Sequence, residues 1–326
     1  MERTERPEPT EESVLLRGLR LFSVTAGFPA ALLAGACVVL AGASPRQATR
    51  TVYVTVAGEN DAAVPNLSAA DFEIKEEGKA RKVVEASPPD AQVSIALLID
   101  DKGADINEIR SALVTFFGQV QGRAELSLTT VVPSVARVFD YTSSLPTMLA
   151  GVQRLVWRSG PATGLLLGAV ADAADELKRR EATRPAIVVV TFEGDEFRSH
   201  RPAPAVLQAL ERSRAALHVV AIGKPTLRKM NRALVESGDA QGDEWTVDQN
   251  NRNAVLGEGP RASGGRRHEI TVATGLSKAL EAVAHDLLNQ YAVVYEAGAD
   301  SKPTRKLSVT VKRRGVTVRA PTRIAG

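Results

Sequence analysis

The sequence predicts an α/β protein: a doubly wound, mostly parallel sheet with helices on both faces, joined to a small β unit made by the segments before and after it. Two observations carry this expectation. From residue 93 onward, short unbroken apolar runs alternate with stretches of helical period, the pattern of a sheet buried on both sides. Residues 51–86 and 305–321 show instead the in-out alternation of half-buried strands.

Taken in order, "TVYVTV" (51–56) is a strand with one buried face, and "FEIKEEGKARKVVEA" (72–86) has the same period broken by a Glu-Gly-Lys turn, which predicts a hairpin. Five buried strands follow: "VSIALLI" (93–99), "ELSLTTVV" (125–132), "AIVVVTF" (186–192), "ALHVVAIG" (216–223) and "YAVVYE" (291–296). Helical period places helices between them at 105–120, 145–156, 164–180, 203–214 and 275–289. "SVARVFDYT" (134–142) follows its predecessor after only "PS", so it runs antiparallel to it. Residues 224–264 break the rhythm with a polar insertion rich in Gly, Asn, Asp and Arg. Such a segment is a functional loop or disordered, disorder being the commoner state. The closing "RKLSVTVKRRGVTVRAP" (305–321) alternates around "RRG" and predicts a terminal β-hairpin that pairs with the opening β unit.

The 326 residues, 44% of them apolar, are enough for one large domain and a smaller one. The 41 basic and 38 acidic residues are interspersed, giving a net charge of +3 and little support for nucleic-acid binding. The single cysteine, Cys37, excludes a disulfide framework and a thiolate metal site. It lies in an uncharged apolar stretch, residues 21–43, preceded by Arg17 and Arg20. That stretch is an export signal or a membrane anchor. Small residues at 41–43 offer a cleavage site before Ser44, whereas the length of the apolar run favours retention, and both outcomes stand at this point. A lipid on Cys37 is disfavoured, because Ala34 is a poor residue three positions before it. In either case the remainder is delivered outside the cytoplasm, to the periplasm, the exterior or the outer face of the membrane. The expected organisation is a signal or anchor at 1–43, an N-terminal β unit at 44–90, the α/β domain at 91–297 with its polar insertion, and a C-terminal β segment at 298–326.

Ligands of an open α/β sheet sit beyond the carboxyl ends of its strands, which singles out Asp100, Asp101, Thr163, Glu193 and Asp195. The nucleotide and hydrolase signatures fail. "IGKPT" (222–226) has Gly-Lys, but His218 stands where a Walker loop needs its first glycine, and a proline follows the lysine. No Gly-x-Gly-x-x-Gly follows a strand and there is no Gly-x-Ser-x-Gly turn. His200, His218, His268 and His285 share no zinc-ligand spacing; His218 lies in a buried strand as a satisfied core residue, and His285 falls on an amphipathic helix. Asp100 and Asp101 are adjacent, so their side chains diverge, which is the wrong spacing for an aspartyl phosphotransferase.

The order of these pieces resembles the von Willebrand factor A domain, and more narrowly the related proteins of acidobacterial type. "VPNLSAADFEIKEEGK" (64–79), "SGGRRHEI" (263–270), "GLSKALEAVAHDLLNQYAVVYE" (275–296) and the closing "RKLSVTVKRRGVTVRAP" carry the resemblance across nearly all of residues 51–320. It implies a metal-ion-dependent adhesion site made by Asp-x-Ser-x-Ser after the first strand, a loop threonine and a later aspartate. Hydroxyl ligands there leave a hard cation electrophilic towards a partner's carboxylate. In this sequence Asp100 matches the first aspartate, but Lys102 and Ala104 occupy the serine positions. Thr163 matches the threonine and Glu193 the last aspartate, with Asp195 as a possible substitute. The ammonium of Lys102 is suited to pair with Asp100 in the metal's stead.

The resemblance therefore implies an exported, non-enzymatic binding module with a degenerate site, no cofactor and Mg²⁺ disfavoured. Asp100, Asp101, Lys102, Thr163 and Glu193 form its partner-binding face, and the partner is a protein or a cell-envelope component. The membrane is engaged through residues 21–43 when they are retained. The alternatives are a divalent-metal-dependent adhesion module and a metal-assisted hydrolase using Asp100, Asp101, Glu193 and Asp195.

Overall fold

The computed structural model describes residues 48–100, 106–156, 164–192, 201–223, 242–298 and 304–325, with residues 242–246 given by their backbone alone. The expected signal or anchor, residues 21–43, lies outside the described residues. Among those described, no helix is long and apolar enough to cross a membrane.

Strands β1 (Thr49–Ala57), β2 (Phe72–Glu76), β3 (Lys79–Arg81) and β4 (Val83–Ser87) open the fold. Then come β5 (Val93–Ile99), helix α1 (Ile106–Val120), β6 (Ala124–Thr130), β7 (Ala136–Thr142), α2 (Leu145–Arg154), α3 (Leu166–Arg179), β8 (Arg184–Phe192), α4 (Ala203–Ser213) and β9 (Ala216–Ile222). Helix α5 (Gly242–Arg252), β10 (Arg267–Ile270), α6 (Leu276–Leu288), β11 (Gln290–Glu296), β12 (Thr304–Val311), β13 (Thr317–Arg319) and β14 (Arg323–Ala325) complete the order.

The central sheet has six strands in the order β10-β9-β8-β5-β6-β7, parallel except for the edge strand β7. Every residue of β5 is buried, as the unbroken apolar run requires. Its odd-numbered row, Ile95, Leu97 and Ile99, packs with α1, α2 and α6, through residues such as Phe116, Met148 and Leu280. Ala96 and Leu98 face the other way, onto α3 and α4 through Val170 and Val206. The doubly wound α/β class follows from these two covered faces.

Two further sheets, β13-β1-β11-β4 and β14-β12-β2-β3, pack face to face as a small sandwich. Its core is built from alternating rows: Val52, Val54 and Val56 on β1, Phe72 and Ile74 on β2, and Tyr291, Val293 and Tyr295 on β11. Two of the sequence motifs meet here. The Tyr291 hydroxyl donates to Val64 O (2.7 Å) and accepts from Leu67 N (3.2 Å), tying "VPNL" to the "QY" strand. Ser68 and Asp71 form a capping box, with Ser68 N donating to Asp71 Oδ2 at 2.8 Å. The β2–β3 hairpin turns on Glu77 (φ 51°) and Gly78 (φ 76°), the paired positive φ values of a two-residue type I′ loop.

Three expectations need correction. "YAVVYE" does not join the central sheet, because β11 pairs with β1 and β4. The edge of the central sheet beyond β9 is formed by β10, "RHEI", a polar strand. The closing segment does pair with the opening β unit, but not as a hairpin: β12 lies on β2 and β13 on β1, in opposite sheets. Residues 224–241 of the polar insertion lie outside the described residues; the remainder is helical over Gly242–Arg252, continues as a π-helix over Asn253–Glu258 and ends in a short helix at Gly259–Ala262. Val255 and Leu256 anchor it in the core.

The sandwich meets the central sheet through a charged junction. Arg319 on β13 reaches Asp286 of α6 at 2.7 Å and Asp61 at 3.6 Å, and Arg266 reaches Asp61 at 2.7 Å. His218 is buried as expected but not satisfied, since neither ring nitrogen has a hydrogen-bond partner. Burial, reinforced by His268, Arg319 and Arg266, brings His218 down to about 3. Burial and the charges of Arg266 and Arg319, opposed by Asp61, bring His268 down to about 4.

Both rings stay neutral in the folded chain, while in the unfolded chain they take up protons below the usual 6.5. The unfolded state therefore binds more protons below that value. Stability falls as pH drops, by up to about 1.4 kcal/mol per pH unit for a fully buried histidine and less for His268. Asp286, raised by burial against the pull of Arg319, acts in the opposite sense. Urea unfolding followed from about pH 7 to about 4.5 is expected to show the net loss, and His218→Leu to flatten it. An unchanged slope in that variant would assign the loss to other groups.

Candidate functional site

From β5 the chain winds outward to β6 and β7, then returns to the other side of β5 with β8. The carboxyl ends of β5 and β8 thus flank the switch point, where neighbouring loops diverge and ligands of doubly wound folds bind.

Asp100 is the first residue beyond β5. Its N–H donates to Val190 O (2.9 Å), which holds its backbone against β8. Thr191, wholly buried in β8, donates its Oγ1 hydrogen to Asp100 Oδ2 at 3.0 Å. The bond spans the two strands at the switch point and fixes the direction of the carboxylate. Arg252, buried near the end of α5, donates to Phe192 O (3.2 Å) at the end of β8. Asn251 Oδ1 accepts from Ala203 N (3.0 Å) at the start of α4. Part of the polar insertion therefore borders this edge of the sheet.

Of the residues singled out in the sequence, Asp100 stands where expected. Asp101, Lys102, Ala104, Thr163, Glu193 and Asp195 lie outside the described residues. Two residues were missed. Thr191 had a readable signal, a hydroxyl inside the apolar run "AIVVVTF", whereas Arg252 sits in a polar stretch where one more charge says little. A carboxylate oriented by a hydroxyl can accept hydrogen bonds, pair with a cation or supply one oxygen to a divalent ion. Thr191 Oγ1, wholly buried and bonded to Asp100, orients the carboxylate, so among the described residues at this point Asp100 is the group placed to supply an oxygen to a cation.

No protein-family model and no curated protein matches the sequence. Among solved structures, the chain is similar to an aerotolerance-related membrane protein from Bacteroides fragilis, at 14% identity and a TM-score of 0.41, over 60% of this chain and 98% of that one. It is also similar to the SpRpn10 VWA domain, at 14% identity and a TM-score of 0.35, over 57% of this chain and 94% of that one. A third similarity is to proximal thread matrix protein 1 from the mussel byssus, at 13% identity and a TM-score of 0.43, over 61% of this chain and 48% of that one. Likeness at this level carries no inference about binding or activity. The doubly wound α/β class, with its switch point at Asp100 and Thr191, rests on the strand order itself.

Proposed function

We propose that the chain is an exported protein-interaction module of von Willebrand A type, working without a resident metal ion and without catalysis. The observation that carries the reading is Asp100 at the switch point, already engaged by Thr191 Oγ1. The next positions of the expected ligand motif are Lys102 and Ala104, which supply no side-chain oxygen. A hard divalent cation needs oxygen ligands, and the lysine brings a cation of its own. The surface that would meet the partner carries Asp100, Asp101, Lys102, Thr163 and Glu193. The partner is a protein or envelope component on the outer side of the membrane, which residues 21–43 would direct the chain across or tether it to.

The test is thermal unfolding with Mg²⁺, with Mn²⁺ and with chelator. A site filled at a hundred times its Kd would add about 2.7 kcal/mol, several degrees in Tm for a body of this size. The expected result is no metal-specific shift. A rise abolished by Asp100→Ala would overturn the metal-free reading. If the remaining ligand geometry is intact, the double variant Lys102→Ser, Ala104→Ser is expected to gain divalent-ion binding by titration calorimetry. Capture from an envelope extract tests the interaction itself. The mass of the mature chain separates cleavage before Ser44 from retention.

A further inference from the structure

The end of the central sheet opposite Asp100 is also built, and differently. The amino ends of β5, β8 and β9, the end of α4 and the start of β1 enclose a cavity of about 610 Å³, within the roughly 300–1,000 Å³ range of small-ligand sites. Three guanidinium groups, Arg50, Arg184 and Arg214, line it against one carboxylate, Glu181. Arg50 is shared with Glu76, but Arg184 has no such counter-ion. It is 6% exposed, and its Nη1 donates to Ala91 O (2.7 Å) and its Nη2 to Leu287 O (2.7 Å) and Gln290 Oε1 (3.2 Å). Its Nε has no partner, and Tyr53 stacks 5.4 Å from the guanidinium carbon. Among the described residues no carboxylate pairs with it. Buried cations are ordinarily matched by an anion, and burial, opposed by Tyr53 and aided by Arg123, brings Arg184 down to about 10.

A second, mostly apolar compartment of about 170 Å³ adjoins the first, lined by residues including Leu207 and Leu210. The two share Arg214, Ser263, Pro321 and Ile324 as walls. The carboxylate of the second compartment, Glu211, is already held by Arg323 at 3.4 Å and by Thr304 Oγ1 at 3.3 Å. A cationic chamber and an apolar slot thus share a wall, with Arg214 lining both.

We propose that this crevice binds a small organic anion, a carboxylate bearing an apolar chain, with its head at Arg184 and Arg214 and its chain between Leu207, Leu210 and Ile324. The site is independent of the Asp100 face and stands or falls apart from it.

The probe is octanoate, titrated into the full chain by calorimetry, with octylamine, octan-1-ol and acetate as controls. Octanoate is expected to bind in the submillimolar range. Octylamine and octanol lack the charge for the chamber, and acetate lacks the chain for the slot, so each should bind at least about tenfold more weakly. Arg184→Gln tests the head directly but also removes the clamps on Ala91 and Leu287, so folding is at stake. Arg214→Gly avoids that difficulty: Arg214 has φ 58° at the end of α4, where glycine is the residue of least strain. This variant should fold at least as well as the parent and lose octanoate affinity at least about fivefold. A smaller loss, equal binding of octylamine or octanol, or no octanoate binding up to about 10 mM overturns the proposal.

Discussion

Glu76→Ala is expected to cost about 3–5 kcal/mol and to loosen the sandwich as a unit. Glu76 continues the inward row Phe72, Ile74 of β2, so the pleat carries its carboxylate into the sandwich interior, where it is wholly buried. There it gathers charge from both sheets. Arg50 of β1 lies 3.2 Å and Arg305 of β12 3.1 Å from Oε1, and Arg81 of β3 lies 3.2 Å from Oε2. Gly298 N, just past β11, donates to Oε2 at 2.8 Å. Removing the carboxylate strands Arg305 in the interior and leaves the part-exposed Arg50 and Arg81 without their counter-ion. Breaking a buried pair by deleting one member costs about 3–5 kcal/mol, a large share of the roughly 5–15 kcal/mol that holds a domain together. Arg81→Ala leaves two of the three cations in place and should cost markedly less. Urea unfolding of the two variants checks the order, and a Glu76→Ala midpoint equal to that of the parent would show that the pairs contribute nothing net. Because the cluster bridges the sheets, the loss should appear first in amide exchange along β1, β2 and β12.

The sequence made most of this architecture legible, but not this junction. Wherever an element is buried on both faces, as β5, β8 and β9 are, its composition locates it, because such a run is overwhelmingly apolar and admits only isolated polar residues such as Ser94, Thr191 and His218. Assignment of a strand to a sheet is a different matter. "YAVVYE" is apolar enough for either sheet, and only its cross-strand partners Val52 and Val54 decide for the sandwich. "RHEI", quoted only as part of a motif, was not legible as a strand because an edge strand, paired on one side only, can carry charges such as Arg267 and Glu269, which pair with each other at 3.0 Å. The helix at 242–252 was obscured by its polar composition; two buried residues just beyond it, Val255 and Leu256, supply its tertiary anchor. At the candidate site, Asp100 was legible because a charge ending a buried strand has few structural reasons to be there. Thr191 gave only a weak signal, a lone hydroxyl in an apolar run, since threonine is an ordinary strand residue until the carboxylate it binds is known. The Arg184 cavity could not be read at all, because it is assembled from segments more than a hundred residues apart, among them Arg50, Arg184 and Gln290.

Gly265→Ala is expected to be the most damaging single-methyl change in the central sheet. The chain leaves the insertion through "SGG" and must run directly against β9 before β10 begins. Ser263 Oγ accepts from Leu217 N and donates to Gly259 O, both at 2.9 Å, and Gly265 N donates to Pro260 O at 2.8 Å. This folds the segment so closely onto β9 that a β-carbon on residue 265 would lie 2.0 Å from Leu217 O and 2.6 Å from its carbonyl carbon. Those are backbone atoms of a buried strand and cannot rotate aside. Relief requires moving β10 off β9, at the point where Val219 N donates to Arg266 O (2.9 Å) and the ladder starts. Overpacking usually costs about 1–3 kcal/mol; with backbone as the obstacle the expected cost is about 3 kcal/mol or more. The comparison is Gly118→Ala on the exposed side of α1, where an added β-carbon meets nothing within 4 Å and alanine should stabilise the helix by about 0.5–1 kcal/mol. Two changes of identical chemistry are thus expected to move the unfolding midpoint in opposite directions. Amide exchange at Val219 should accelerate only in the first of them. Equal midpoints for the two variants would mean that the chain does not approach β9 as closely as the structure places it.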